Sequence, residues 1–317
     1  MSGELAAILT AACFAYNAIL FNIAGRRVTS PVVNRMRLLG ALVVLASLHW
    51  ILRGTPFPLD AGWERFNWLA VSAIIGFVLG DAALFEALVR IGARYTVLLT
   101  TLIPIFSSLI AWLLLGERIL LTEWGFILLT MAGIAWVITE RRTTGIVSRR
   151  HLFTGLGLGI FAALAQATGL VFSKLGLSDE YSVFSATLVR IAVATLILWL
   201  PIMLRRRVGE DFRRLKDRVA RNALLKGTFV GPVAGVMLSL YAVQQVRVGI
   251  ASTLMSLIPI FLLPLGWFML KERVSWRALL GTILAVSGAG GVLLGECQRG
   301  LGKARSSPAR QGSIGAG

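Results

Sequence analysis

PIFSSLIAWLLLGER at residues 104–118 and PIFLLPLGWFMLKER at 259–273 decide how this chain is organised. At one constant offset Pro, Ile, Phe, Trp, Leu, Glu and Arg coincide. Upstream, RIGARYTVLLTTLI (90–103) faces RVGIASTLMSLI (247–258) after a two-residue gap, and downstream Gly133 and Gly288 keep the register. Earlier, VNRMRLLGA (33–41) parallels ATLVRIAVA (186–194), pairing Arg37 with Arg190. Similarity among Leu/Ile helices accounts for the apolar letters. It does not account for a proline, a tryptophan, a Glu-Arg pair and a lone arginine in matched places, so the chain reads as an internal duplication.

The stretches around these segments are too apolar for a water-soluble fold. The 317 residues are 56% hydrophobic and 15% charged, with mean hydropathy +0.78. Soluble domains carry about 25% charged residues. A spanning helix needs about 20 mostly apolar residues, and ten such runs are present: roughly 5–23, 32–52, 68–89, 96–115, 124–139, 152–175, 183–204, 223–245, 250–270 and 276–295. Barrel strands are about 10 residues long and alternate in polarity, which these runs do not. The fold class expected is all-α integral membrane, with ten transmembrane helices as two inverted five-helix repeats. An odd number of spans per half makes the second half insert upside down relative to the first, as in many secondary transporters. The divisions expected are 1–145 and 146–296 for the repeats and 297–317 for a disordered Gly/Ser/Ala-rich tail. The first run lacks a basic leader and reads as a retained helix.

The net charge of +17, from 32 Lys and Arg against 15 Asp and Glu, would suggest nucleic acid in a soluble protein. Here the cations fall between apolar runs, with no basic-aromatic interleaving, so no nucleic-acid partner is expected. They gather after the odd-numbered runs, most densely from Arg205 to Arg221. By the positive-inside rule that side is cytoplasmic and both termini lie outside. Cys13 and Cys297 stand alone and His49 and His151 lie near run ends, so neither a metal site nor a cofactor is expected. No phosphate-binding loop points to ATP coupling.

The halves resemble the drug/metabolite transporter superfamily, in its EamA-type ten-helix branch. The resemblance rests on the mid-helix proline followed by a glutamate (Pro104/Glu117, Pro259/Glu272) and on Gly125, Gly133, Gly281 and Gly288 in the fifth and tenth runs. Arg37, Arg190 and the GD-x3-FxAL stretch at Gly80–Leu88 complete it. It covers about residues 5–295 and implies a multi-pass protein of a bacterial inner membrane that moves a small metabolite, amino acid or xenobiotic outward. It also implies both termini in the cytoplasm, opposite to the charge rule, and the two expectations stand side by side.

Intramembrane ionisable groups are functional candidates because a charge in hydrocarbon is costly. Asp81 lies about 13 residues, or roughly 20 Å, into the third run. It is expected either to bind a coupling proton or a cationic group in a cavity, or to satisfy a neighbouring helix. Arg37 and Arg190 are expected to face the bundle and meet anionic substrate groups or a carbonyl, or else to snorkel. Gln166, Thr101 and Ser256 are candidate cavity residues, as are Asn17, Asn22, Thr100, Ser107, Ser108, Gln244 and Gln245, with interhelical hydrogen bonding as the rival role for each. Pro104 and Pro259 should break one backbone hydrogen bond each and kink their helices near mid-membrane. Glu117 and Glu272, each followed by Arg, should form helix-end ion pairs. Glu86 should pair with Arg90 one turn on. The expected partners are the bilayer, a small-molecule substrate and a coupling proton. A membrane-embedded enzyme would need clustered acids, histidines or a nucleophile–base set, and a structural membrane protein would need no polar midplane. Both are the weaker readings.

Overall fold

A computed structural model of the chain describes residues 1–140, 149–178, 180–206, 208–270 and 276–306. Every regular element among them is helical: α1 (Gly3–Val28), α2 (Ser30–Arg53), a single 3-10 turn (Leu59–Ala61), α3 (Gly62–Ala73), a π-helical stretch (Ile74–Gly80), α4 (Asp81–Thr100), α5 (Ile103–Leu115) and α6 (Leu121–Glu140). The second half continues with α7 (Arg149–Gly176), α8 (Val183–Leu204), α9 (Val208–Arg214), α10 (Arg218–Thr228), a second π-helical stretch (Phe229–Gly235), α11 (Val236–Gln245), α12 (Val248–Met255), α13 (Ile258–Leu270) and α14 (Trp276–Ser306). In lipid each backbone group must be satisfied internally, which leaves helices as the route for such apolar runs.

Among the described residues, eight helices are long and apolar enough to cross a membrane: Gly3–Val28, Pro31–Arg53, Leu59–Leu88, Thr96–Leu115, His151–Gly176, Val183–Leu204, Arg218–Gln245 and Val248–Leu265. The fifth and tenth runs give shorter apolar helices, Leu121–Val137 and Leu279–Leu294. Both stretches lie within longer helices, α6 (Leu121–Glu140) and α14 (Trp276–Ser306). The tail also departs from expectation. From residue 297 it continues as helix α14 as far as Ser306 rather than starting as an irregular segment.

Helix interruptions sit at matched places in the two halves. The π-helical stretches Ile74–Gly80 and Phe229–Gly235 are separated by the same offset that separates Pro104 from Pro259, and both carry glycines at their third and last positions. A π turn widens the helix by one residue and often occurs at functional sites. The fourth and ninth runs are broken rather than merely kinked. Three-residue backbone bonds close the helix at Thr101 and Leu102 (3.2 and 3.0 Å), and again at Ser256 and Leu257 (both 3.2 Å). New helices then start at Ile103 and Ile258, one residue before each proline. Proline has no N–H to give and is suited to a first helical turn.

The first helix of each half lies along the interrupted third run of the other. Methyl groups placed on Gly227, Gly231 and Gly235 would strike Phe21, Asn17 and Phe14 of α1 at 2.5, 2.3 and 2.7 Å. On α7, Gly176 meets Leu69, Gly169 meets Gly76 and Gly155 meets Ile91. Near the end of α4, Leu99 packs on Gly159, one helical turn further along α7 than Gly155. Backbones approach this closely only where a side chain is missing. The helices α6 and α14 make the same kind of crossing. A methyl on Gly133 would come within 2.4 Å of the Ala285 nitrogen, and one on Gly288 within 2.6 Å of the Thr130 nitrogen.

Candidate functional site

α4 begins at Asp81, directly after the first π-helical stretch, which aims its carboxylate at α2 and α8. Arg37, two turns into α2, donates from a terminal guanidinium nitrogen to Oδ2 of Asp81. Its Nε donates to Asn34 Oδ1 at 2.8 Å, and its guanidinium lies over the Phe21 ring at 5.6 Å. Arg190 comes from α8, the matched position of the other half, and is close enough to feel the charge of Asp81. Its guanidinium stacks 4.7 Å from the centre of the Phe77 ring, inside the π-helical stretch. Asp81 is 9% exposed and Arg190 5%. Nε of Arg190 has no hydrogen-bond partner. Gln166 on α7 joins the group, its Cγ 3.3 Å from where a Cβ of Gly80 would stand.

Three of the site residues expected from sequence, Asp81, Arg37 and Arg190, therefore converge, with Gln166 beside them. The alternative of snorkelling is corrected for both arginines. They point inward because a carboxylate and two aromatic faces are there to receive them.

Thr101 and Ser256 stand apart from this cluster. Each is at the break of its helix and returns its hydroxyl to the chain, Thr101 to Leu98 O (2.7 Å) and Ser256 to Ser252 O (2.8 Å). Pro104, buried, and Pro259 sit at the starts of α5 and α13. The halves also touch through Ser107 of α5 and Ser252 of α12, whose hydroxyls are 2.7 Å apart and buried.

Glu117 forms a helix-end ion pair, as expected, and it reaches across the bundle to do so. Gly116 ends α5 with φ +65°, a left-handed conformation that glycine takes at little cost. The chain then turns so that Glu117 Oε1 accepts from Lys174 Nζ of α7 at 2.6 Å and Oε2 from the Val248 N–H at 2.8 Å. Lys174 also donates to Val246 O at 2.7 Å. One carboxylate thus ties the end of α5 to α7 and caps the first turn of α12. Glu272 lies outside the described residues. Glu86 pairs with Arg90 at 2.8 Å, as expected.

Other anchors had no distinctive sequence signal. Glu123, 1% exposed, takes both arms of Arg247 at 2.8 and 2.6 Å and accepts from the Leu120 N–H. His49 holds Thr55 O at 2.6 Å and stacks on Phe184. Beside Lys174 a cavity of about 570 Å³ is lined by Leu177, Ser178, Glu180, Gln244 and Gln245. Gln244 closes part of it by donating to Tyr181 O at 2.9 Å.

At the opposite end of α1, Arg35 pairs with buried Asp211 (2.6 Å), Arg27 with Asp217 (3.0 Å), and Arg214 donates to Val28 O. The dense basic segment thus joins α1 and α2 to the region of α9 and α10 through its acids Asp211 and Asp217 and through one of its cations, Arg214. Asp217 caps α10 through the Ala220 N–H (2.8 Å). That backbone bond, with help from Arg27, holds its carboxyl below the usual range.

No group of three or more His, Cys, Asp or Glu suited to a metal occurs among the described residues.

The comparisons with known proteins agree with this geometry. A solved crystal structure shares the fold with TM-score 0.71 over 92% of this chain and 97% of its own, at 16% identity. A curated protein of Archaeoglobus fulgidus named an uncharacterized transporter is 24% identical over 289 residues, covering 89% of this chain and 95% of that one. The profile of the EamA-like transporter family matches twice, at residues 1–139 and 153–294. The chain is an integral, multi-pass membrane protein and belongs to the EamA-like transporter family.

Proposed function

We propose that this protein is a secondary transporter that exports a small metabolite, amino acid or xenobiotic by alternating access, working as ten spans in two inverted five-helix repeats. The two shorter apolar helices, Leu121–Val137 and Leu279–Leu294, serve as the fifth and tenth spans and cross each other at Gly133 and Gly288. The site is the mid-membrane cluster of Asp81, Arg37, Arg190 and Gln166, with the breaks at Thr101–Pro104 and Ser256–Pro259 as the points about which the halves rock. The repeat boundaries are 1–145 and 146–296, and the setting is a bacterial inner membrane.

The observation that carries this reading is a charged, buried cluster beside a matched pair of interrupted helices. Secondary transporters place substrate between repeats, where discontinuous helices free backbone groups to bind it. An ionisable cluster in hydrocarbon is kept for function rather than for fold stability. Asp81 is the coupling acid in this scheme. A proton on its carboxylate weakens the link to Arg37, and its loss restores that link, so the proton biases α2 against α4.

The test is flux. Purified protein in proteoliposomes, loaded with a metabolite mixture and given a pH gradient, should move at least one solute faster than protein-free vesicles. Asp81→Asn should reach the membrane folded and lose the response to the gradient. Wild-type flux with unchanged pH dependence in that variant would remove Asp81 from coupling, and no flux for any solute would overturn the transporter reading itself.

A further inference from the structure

The charges in the cluster do not balance. Arg37 and Asp81 satisfy each other, and Asn34 takes the Nε of Arg37. Arg190 is left over. A guanidinium offers five N–H donors, yet among the described residues no hydrogen bond to Arg190 is found, and its Nε is fully enclosed. What surrounds it is the Phe77 ring and the side-chain-free crossing of Gly76 and Gly169. A methyl on Gly76 would stand 3.7 Å from the terminal nitrogen of Arg190 and 3.8 Å from the Cα of Gly169. A buried cation with donors to spare, beside two glycines, is a place built to accept something.

We infer that Arg190 anchors the carboxylate of an organic-anion substrate. This rests on the transporter reading and names its substrate class. The argument is one of charge. Two arginines and one aspartate leave a surplus positive charge in the bundle. A monocarboxylate brings the cluster to neutrality, a neutral solute leaves the surplus, and an amine raises it. Only a planar oxyanion also uses the guanidinium's paired donors, in the bidentate geometry that makes such contacts strong. Phe77 holds the guanidinium plane from one side, which limits its rotation. Arg37 cannot take this role while its donors are committed to Asp81 and Asn34.

The experiment uses the full chain, purified in a neutral detergent. Thermal unfolding is followed with acetate, lactate, benzoate and phenylacetate, each against its amide, and with benzylamine. At least one carboxylate should raise the midpoint by several degrees while its amide and benzylamine do not. Arg190→Gln should abolish the shift, and Arg190→Lys should keep a smaller one. A shift by amides or benzylamine equal to that by carboxylates overturns the inference. So does a carboxylate shift that survives in Arg190→Gln, or the absence of any carboxylate shift. If Arg190→Gln does not fold, Arg190→Lys decides: weakened carboxylate binding supports the assignment, unchanged binding overturns it. Phosphatidylglycerol alone, added without carboxylate, separates solute from lipid. A shift by that lipid which depends on Arg190 assigns the site to a headgroup and overturns the substrate class. A carboxylate that binds through Arg190 but does not cross proteoliposomes sinks the transport reading and spares this one. Flux of amides or benzylamine at carboxylate rates does the reverse.

Discussion

The two π-helical stretches are the same device used twice, with different chemistry around each. At the first, Gly76 and Gly80 cross α7 beside Asp81, Arg37, Arg190 and Gln166. At the second, Gly231 and Gly235 cross α1 beside Asn17 and Phe14, and the residue matched to Asp81 is Val236. The arginines are duplicated and the acid is not. Both arginines therefore converge on one carboxylate, and the site is built at one crossing only. Close packing needs small residues wherever backbones meet, so both halves hold their glycines. Charge is needed only where chemistry happens, so one half was free to lose it or the other to gain it.

The largest effect comes from making the first crossing a copy of the second. Asp81→Val puts the Val236 chemistry in its place and leaves Arg37 beside Arg190 with no counter-charge. Removing one partner of a buried pair costs about 3–5 kcal/mol, so the unfolding free energy in mixed detergent micelles should fall by that amount. Asp81→Asn, which keeps an acceptor for Arg37, should lose visibly less. Equal losses in the two variants would mean that shape rather than charge sets the difference between the crossings.

A second change sharpens the part that both halves share. Gly133→Ala pushes a methyl against the backbone of Ala285, which cannot step aside without moving α14. Overpacking of this kind costs about 1–3 kcal/mol. Gly125→Ala, on the same helix with no neighbour within 4 Å, should leave the midpoint unchanged. Equal behaviour of the two variants would show that α6 and α14 are not held by that crossing.

The smallest effect lies at the basic end of the molecule, away from both crossings. Asp217 is more acidic in the folded chain than in the unfolded one, because the Ala220 N–H and Arg27 favour its ionised form. A depressed folded value contributes stability that is present above the unfolded value of about 3.9, and that is lost as pH falls through the folded value. Asp217→Asn should therefore flatten the acid limb of a stability-against-pH curve and lower stability slightly at neutral pH, where the ionised carboxylate contributes. A neutral-pH loss as large as that of Asp81→Val would place a main anchor at this exposed cap instead.

Much of the fold was legible in the letters. Ten apolar runs, the paired prolines and the matched arginines follow from bilayer thickness and from a constant offset, both of which act along the chain. The second offset signal, glycines 76 and 80 against 231 and 235, was equally present and marks the π-helical stretches. It carries no residue type unusual for a membrane helix, so it reads as ordinary packing until the crossing is seen. Glu117, at the end of its helix, reads as a member of a helix-end ion pair, but its place in the chain does not name the partner. Its actual partners, Lys174 and the Val248 N–H, lie far along the chain, and no local pattern encodes such a pairing. Glu123 with Arg247 escaped for the same reason.

By itself the sequence determined the solvent, the duplication and the short list of intramembrane charges, because hydrophobic length and the cost of a buried ion are properties of residues and segments. Only the tertiary structure decided which charges meet. Asp81 had two arginines at comparable depth, and nothing in the chain order chose between them. The choice came from how α2, α4 and α8 cross, which brings Arg37 to the carboxylate and leaves Arg190 on the ring of Phe77 with its Nε unpartnered. Pairing energy depends on separation and orientation in space, and those are set by helix packing rather than by position in sequence.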